Sequence, residues 1–340
     1  MKVLVTGGAG FIGSFFVHEC LQNGLHVTVL DKLTYAADTG RIGDVIKKIR
    51  LYEADISEGQ TAERLIKRTR PDAIVHFAAE THVDRSILFP EDFIKTNVVG
   101  TFNLLNASIS GKVKKFVHIS TDEVYGELTS EKGIKFNEES PLMPNSPYSA
   151  SKASADTLVR AFSKTYGLQA VTVRPSNNYG PWQYPEKLIP LTMAKALLGE
   201  KIPVYGKGAN IRTWLYAGDC AQAILKVLEK GKPGEIYNVG SDEEKRNIDV
   251  VKSILGMLGL AEELIEFVPD RPGHDFRYAL DSSKSRKKLG WKPGHGFEAG
   301  LEKTVCWFRD NKGWLFRKKK ETDAFVKKLR KTFAAHGAKK

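Results

Sequence analysis

Lys2-Val3-Leu4-Val5-Thr6-Gly7-Gly8-Ala9-Gly10-Phe11-Ile12-Gly13 opens the chain, and its reading decides the architecture. A short apolar run of strand length stops at paired glycines, and from Phe11 to Leu21 apolar residues recur at helical spacing. Gly8-x-Gly10-x-x-Gly13, overlapped by Gly7-x-x-Gly10-x-x-Gly13, removes Cβ atoms where the chain turns from strand into helix. Such a turn lets backbone N–H groups at a helix N-terminus reach a pyrophosphate, and its last glycine lets helix and strand pack closely. The next strand, Val27 to Leu30, ends in Asp31, 18 residues past Gly13. A carboxylate there suits a ribose 2′-hydroxyl and repels a 2′-phosphate, so the spacing predicts NAD in preference to NADP. Asp55, at the end of the third strand, comes within reach of an adenine by the same topology.

Working outward, strand signals recur at Arg50 to Ala54, Ala73 to Phe77 and Lys115 to Ser120, separated by helical stretches near Thr61–Arg68, Phe93–Ser108 and Tyr148–Tyr166. This alternation predicts an α/β fold, a doubly wound parallel (Rossmann) sheet buried on both faces. Beyond Arg174-Pro175 loops dominate, with helices near Leu188–Leu198, Gly218–Leu228 and Asp249–Leu258. The expected organisation is a nucleotide-binding domain over 1–174, a smaller mixed substrate lobe over 175–316 interleaved with the last sheet strands, and a tail over 317–340.

The 340 residues are 41% hydrophobic and 27% charged, which excludes disordered, collagen-like and coiled-coil chains. The net charge of +12 points to an anionic partner, and its placement narrows the choice. Residues 317–340 hold 10 Lys and Arg against 2 Asp and Glu, so most of the excess lies in that Lys-rich tail. The body is close to neutral, which turns the expectation away from nucleic acid. Phe325, Leu329 and Phe333 share one face of the tail and predict a docked amphipathic helix. Cys20, Cys220 and Cys306 lie far apart without C-x-x-C, which predicts free thiols, a reducing cytoplasm and no metal. No run approaches the ~18 apolar residues of a membrane span.

Two polar clusters carry chemistry. Ser120-Thr121-Asp122-Glu123 follows the fifth strand, and Tyr148-x-x-x-Lys152 puts a phenol and an ammonium on one helix face. A phenol of pKa ~10 is a poor base near neutrality, and a neighbouring cation favours its ionised form. With the glycine loop, Ser120-Thr121 and Tyr148-x-x-x-Lys152, the chain resembles the extended short-chain dehydrogenase/reductase superfamily. More narrowly it resembles the dTDP-glucose 4,6-dehydratases, through Ala79-Glu80-Thr81-His82-Val83-Asp84-Arg85-Ser86, Asp122-Glu123-Val124-Tyr125-Gly126, Asn177-Asn178-Tyr179-Gly180-Pro181, Pro185 to Pro190 and Asp270 to Asp275. The similarity runs from about Met1 to Trp314.

The resemblance implies removal of water across carbons 5 and 6 of a nucleotide-linked glucose. It assigns Tyr148 as base at the carbon 4 hydroxyl with Thr121 as partner, Lys152 as tuner of Tyr148, Glu123 as base at carbon 5 and Asp122 as acid at the carbon 6 hydroxyl. Adjacent carboxyls sharing charge split in pKa, one acid and one base. NAD would be held by Gly7, Gly10, Phe11, Ile12, Gly13, Asp31, Lys32, Leu33, Thr34, Asp55, Ile56, Phe77, Ala78, Ala79, Thr81, Thr96, Tyr148, Lys152 and Asn178. The substrate would meet Thr81, Thr121, Asn177, Lys187, Leu188, Pro203, Val204, Tyr205, Arg212, Asn247, Arg271 and His274, the arginines gripping the diphosphate as bidentate cations. The resemblance also implies a homodimer through a four-helix contact, which the helices near Phe93–Ser108 and Tyr148–Tyr166 would supply.

Departures leave the base open among thymidine, uridine and cytidine. Phe276 stands where the family often has Arg, and Ala36 to Lys47 is short. A sugar-nucleotide 4-epimerase, a UDP- or CDP-glucose 4,6-dehydratase and a non-catalytic NAD- or RNA-binding derivative are the alternatives.

Overall fold

The computed structural model describes residues 1–131, 133–270 and 273–337, with the side chains of the last helix followed as far as Ala324. It divides into two compact units, Met1–Asn178 with Asn210–Glu244 and Pro272–Phe297, and Tyr179–Ala209 with Lys245–Arg271 and Glu298–Lys340.

The first unit begins β1 (Lys2–Thr6), α1 (Phe11–Gln22), β2 (His26–Asp31), a 3-10 segment (Thr39–Lys48), β3 (Arg50–Glu53), α2 (Gly59–Thr69) and β4 (Ala73–His76). It continues with α3 (Val83–Leu88), α4 (Pro90–Phe93), a π-helical segment (Ile94–Gly100), α5 (Thr101–Ser110), β5 (Lys115–Ile119), a 3-10 turn (Asp122–Tyr125), α6 (Pro147–Tyr166) and β6 (Ala170–Pro175). β7 (Asn177–Tyr179) follows, and then, in the second unit, α7 (Leu188–Leu198) and β8 (Ile202–Tyr205). β9 (Ile211–Tyr216), α8 (Ala217–Lys230) and β10 (Ile236–Val239) return to the first unit. β11 (Glu244–Arg246), α9 (Asn247–Leu258), β12 (Ile265–Val268), α10 (Ser283–Leu289), α11 (Phe297–Asp310) and α12 (Lys312–Gly337) complete the chain.

Seven parallel strands run in the order β10-β6-β5-β4-β1-β2-β3, the doubly wound sheet that the alternation predicts. Successive side chains of β1 go to opposite faces: Val3 and Val5 join Phe16, Val17, Val29, Val75, Val117 and Ile224, while Leu4 joins Leu30, Ile74, Leu104, Phe116 and Val159. Both faces are therefore covered, which is why the strands read as apolar runs. The order reverses between β1 and β4, so the carboxyl ends of those strands open the crevice where such sheets bind ligands.

α6 has strong stop signals at both ends. Ser146 and Ser149 form a reciprocal capping box, Pro147 opens the first turn, and Gly167 closes the helix with φ 69°. The helix expected over Phe93–Ser108 is present and runs without a gap over 90–110, with a π-helical stretch at Ile94–Gly100 between α4 and α5. Asn97 sits in the π stretch: its amide bonds the Glu80 backbone in both directions and donates to Ser151 Oγ at 2.8 Å.

In the second unit, α7 and α9 cover the parallel pair β12-β8 with Ala196, Ile202, Val204, Ile248, Val251 and Leu255. Trp182 packs on Trp307 and Trp314 at 4.7 and 5.3 Å between ring centres. Near the start of α12, Lys319 reaches Asp323 and Glu200 at 2.6 and 3.3 Å. The predicted tail face of Phe325, Leu329 and Phe333, and the expected phosphate contact Arg271, lie outside the described residues and side chains. No described helix is long and apolar enough to cross a membrane.

Candidate active site

The dinucleotide loop forms because its glycines leave no room for anything else. A Cβ on Gly13 would lie 2.2 Å from the Gly7 carbonyl oxygen, and Gly7, at φ 72°, would place one 2.6 Å from the Ala78 nitrogen. Gly10 caps α1 with no side-chain acceptor for its first turn, so the amides opening at Phe11 and Ile12 face a cradle suited to an anion. Asp31 is buried at the end of β2, and its two oxygens accept from Ala9 N and Leu33 N, each at 2.9 Å. Burial raises its pKa, against those bonds and the Arg41 charge. Leu33 holds a left-handed backbone at φ 53°, which turns Thr34 and the following loop back over the glycines. Arg41, unnoticed in the sequence, is fully buried and donates to Ala9 O at 2.9 Å and Ala36 O at 2.7 Å. Lys32 and Asp55 pair at 2.8 Å. Burial raises the Asp55 carboxyl, but Lys32 and Ser57 outweigh it and leave its pKa lowered. These donors, the uncapped helix start and the Asp31 carboxylate fit the pyrophosphate and adenosine ribose of NAD. Phe77, Ala78 and Ala79 follow β4, Ile56 is buried against Gly100, and Thr96 lies in the π segment. Thr81 is exposed, and Asn178 donates to Ser176 O at 2.9 Å.

The reactive group of side chains assembles in the same unit. Thr121 ends the extended chain after β5 and caps the turn holding Asp122 and Glu123. Its hydroxyl lies 3.3 Å from Asp122 Oδ1 and accepts from Glu123 N at 3.3 Å. Asp122 is buried, and its Oδ2 has no hydrogen-bond partner within the described chain. Burial and the Glu123 charge push its pKa up to about 8, against Arg212 and Thr121. A carboxyl raised this far holds its proton at neutral pH.

Tyr148 packs edge-on against Phe93, 6.2 Å between ring centres, and hydrogen-bonds Thr121. Its hydroxyl is held well above the ordinary phenol range, first by burial and then by the Glu123 charge. Lys152 Nζ donates to Ile119 O at 2.7 Å, and burial brings its pKa down to about 8.

Arg212 is buried and donates to the carbonyls of Ile211, Phe276 and Asp275 at 2.8, 3.1 and 2.8 Å, while its guanidinium lies 4.3 Å from the Tyr278 ring centre. Much of its donor capacity thus supports the 275–278 loop. Tyr278 and Asn145 both donate to the Asp275 carboxylate, which ties that loop to the entry of α6. His274 is half-buried in this loop. Asn177 Oδ1 is buried and has no partner within the described chain. In the second unit, Lys187 caps α7, Leu188 packs on the Ile202 and Val204 cluster, Pro203 is half-buried, Tyr205 is exposed and Asn247 opens α9. Asn97 and Arg41, which shape the cofactor side, carried no signal in the sequence beyond being polar residues between apolar ones.

Comparison with known proteins agrees with this geometry. A family model described as GDP-mannose 4,6 dehydratase matches residues 4–304. The dTDP-glucose 4,6-dehydratase of Xanthomonas campestris pv. campestris (strain B100) is 49% identical over 332 residues, covering 92% of this chain and 94% of the relative. Dehydratase 1 of Escherichia coli (strain K12) is 48% identical, covering 93% and 94%. Among solved structures, the dTDP-glucose 4,6-dehydratase DesIV of Streptomyces venezuelae, which has NAD bound, superimposes with a TM-score of 0.89 at 45% identity, covering 92% and 98%. The UDP-glucose 4-epimerase of Thermotoga maritima reaches 0.86 at 33% identity, covering 92% and 99%. The fold is shared with epimerases, but the sequence stands with the dehydratases, and the chain belongs to the dTDP-glucose 4,6-dehydratase family of NAD-dependent short-chain dehydrogenase/reductases.

Proposed function

We propose that the protein is a hydro-lyase that converts dTDP-glucose into its 4-keto-6-deoxy derivative and water. The observation that carries this is the buried Asp122 carboxyl. It is protonated near neutrality, has one unmatched oxygen, and shares Thr121 with Tyr148. An epimerase needs only the tyrosine and its threonine, whereas an elimination needs an acid for the departing hydroxyl and a base for the adjacent carbon.

NAD, held at the glycine turn and Asp31, would supply the hydride acceptor for carbon 4 and the hydride donor for carbon 6. Tyr148 removes the carbon 4 hydroxyl proton, and Lys152 stabilises the phenolate this requires. Glu123 takes the carbon 5 proton, made acidic by the new ketone, and later restores it. Asp122 delivers its proton to the carbon 6 hydroxyl, which leaves as water. Proton balance then requires that the proton gained by Tyr148 reach Asp122 before the next cycle, and Thr121 hydrogen-bonds both. Gly7, Gly10, Phe11, Ile12, Gly13 and Asp31 hold the cofactor, and Asn177, Arg212, His274, Lys187, Leu188, Pro203, Val204, Tyr205, Asn247 and Arg271 are assigned to the substrate by the family match. Exposed Ile94, Val99, Phe102 and Tyr166 on the helices of the first unit support a homodimer. Free Cys20, Cys220 and Cys306 suit the cytoplasm. Incubation with dTDP-, UDP- and CDP-glucose, followed by mass analysis, tests the reading. Loss of water from dTDP-glucose is expected, and intact mass with all three refutes it.

A further inference from the structure

Behind Lys152 lies a buried charge cluster that the proposed chemistry leaves unused. Asp156 stands one helical turn beyond Lys152 on α6, and both are sealed from solvent. Asp156 Oδ2 accepts from Arg174 Nε on β6 at 2.8 Å, and Oδ1 lies 3.3 Å from His118 Nε2 on β5. The His118 ring faces His76 on β4, 5.4 Å between centres. Arg174 lies 4.7 Å from the ring centre of Tyr125, which closes the turn holding Asp122 and Glu123. Tyr125 in turn donates to Asn238 Oδ1 at 2.8 Å.

The charges facing Lys152 can be followed element by element. Both histidines are held neutral by burial, His118 at about 4 and His76 well below its usual range. On β6 stands a permanent cation, Arg174. On the 3-10 turn, Asp122 is protonated and Glu123 faces Tyr148. Tyr148 on α6 remains a phenol. Asp156, whose carboxyl His118 and Arg174 hold below its usual range despite burial, supports the charge on Lys152. An ammonium taken out of water without a counter-charge gives up its proton.

We propose that Asp156 is a positioning residue: clamped by Arg174 and His118, its carboxylate is the counter-charge that keeps Lys152 an ammonium inside the protein, and so able to stabilise the Tyr148 phenolate. The role rests on the reading that Tyr148 and Lys152 serve the dehydration. The test is an NMR titration of the full chain carrying 13C-lysine, the Lys152 signal being identified by its loss in Lys152→Met, beside the pH profile of dTDP-glucose turnover. In Asp156→Asn, Lys152 should lose its proton at about tenfold lower hydroxide concentration or less. The alkaline limb of kcat should move to lower pH by the same interval with KM little changed, and Asp156→Glu should restore both. An unshifted Lys152 titration in Asp156→Asn overturns the proposal. A wild-type protein without turnover overturns the dehydratase reading instead, while the titration still decides the role of Asp156. If Asp156→Asn does not fold, Asp156→Asn/Arg174→Met is compared with Arg174→Met, and equal Lys152 titrations there refute the idea.

Discussion

Replacing Asp122 by Asn separates the stability of this protein from its chemistry. The carboxyl titrates near 3.8 in an unfolded chain and at about 8 in the folded one. The native state therefore binds the proton more tightly, so the contribution of Asp122 to stability is fully present below pH 4 and is lost as pH rises towards 8. Linkage puts that loss at about 2 kcal/mol by pH 5 and about 4 kcal/mol by pH 7. Asparagine has nearly the same shape, can accept from Thr121 and never ionises. Asp122→Asn should thus be more stable than the wild type, by a margin that widens by about 3 kcal/mol between pH 5 and pH 7 in urea unfolding. Turnover of dTDP-glucose should fall by about 10²–10⁴, because an amide cannot protonate a departing hydroxyl. A stability difference that is the same at both pH values would show Asp122 to be ionised in the native state, and unchanged turnover would remove it from the acid role.

Gly13→Ala should abolish NAD binding in calorimetry and lower the melting temperature, since its Cβ meets the Gly7 carbonyl oxygen at 2.2 Å. His118, at about 4 in the folded chain, takes up a proton on unfolding, so stability should fall by about 3 kcal/mol as pH drops from 6.5 towards 4. His118→Gln should flatten that part of a stability–pH curve. Arg277→Met leaves Glu244 without its two bonds of 2.7 and 2.8 Å and should cost about 3 kcal/mol in chemical unfolding. Removing residues 325–340 should leave turnover within twofold, whereas removal from Lys312 takes away buried Trp314 and Leu315 and should lower the melting temperature.

Much of the architecture was legible because its causes are local. The β1 run, the glycine turn and Asp31 lie within 31 residues, and their periodicity and spacing give strand, turn, helix and acid directly. The bounds of Leu188–Leu198 match those expected, since apolar spacing and Gly199 define both helix and stop. The Phe93–Ser108 stretch reads as one helix and is one, but its π turn at Ile94–Gly100 was not legible, because Asn97 there takes partners from Glu80 and Ser151, distant in sequence. Arg212 is assigned to the diphosphate by the resemblance, and nothing in the sequence signalled its bonds to three carbonyls, two of them in a loop more than 60 residues away.

The sequence by itself determined the doubly wound sheet, the dinucleotide turn with its acidic partner, and the family, since periodicity, glycine placement and residue spacing are written along the chain. Tertiary structure decided the charge states. The Asp122 carboxyl is pushed up because burial withholds water and Glu123 adds like charge, and the Asp156 carboxyl is held down because sheet order brings Arg174 and His118 to it. A pKa depends on what surrounds a group in space, and no spacing along a chain records that.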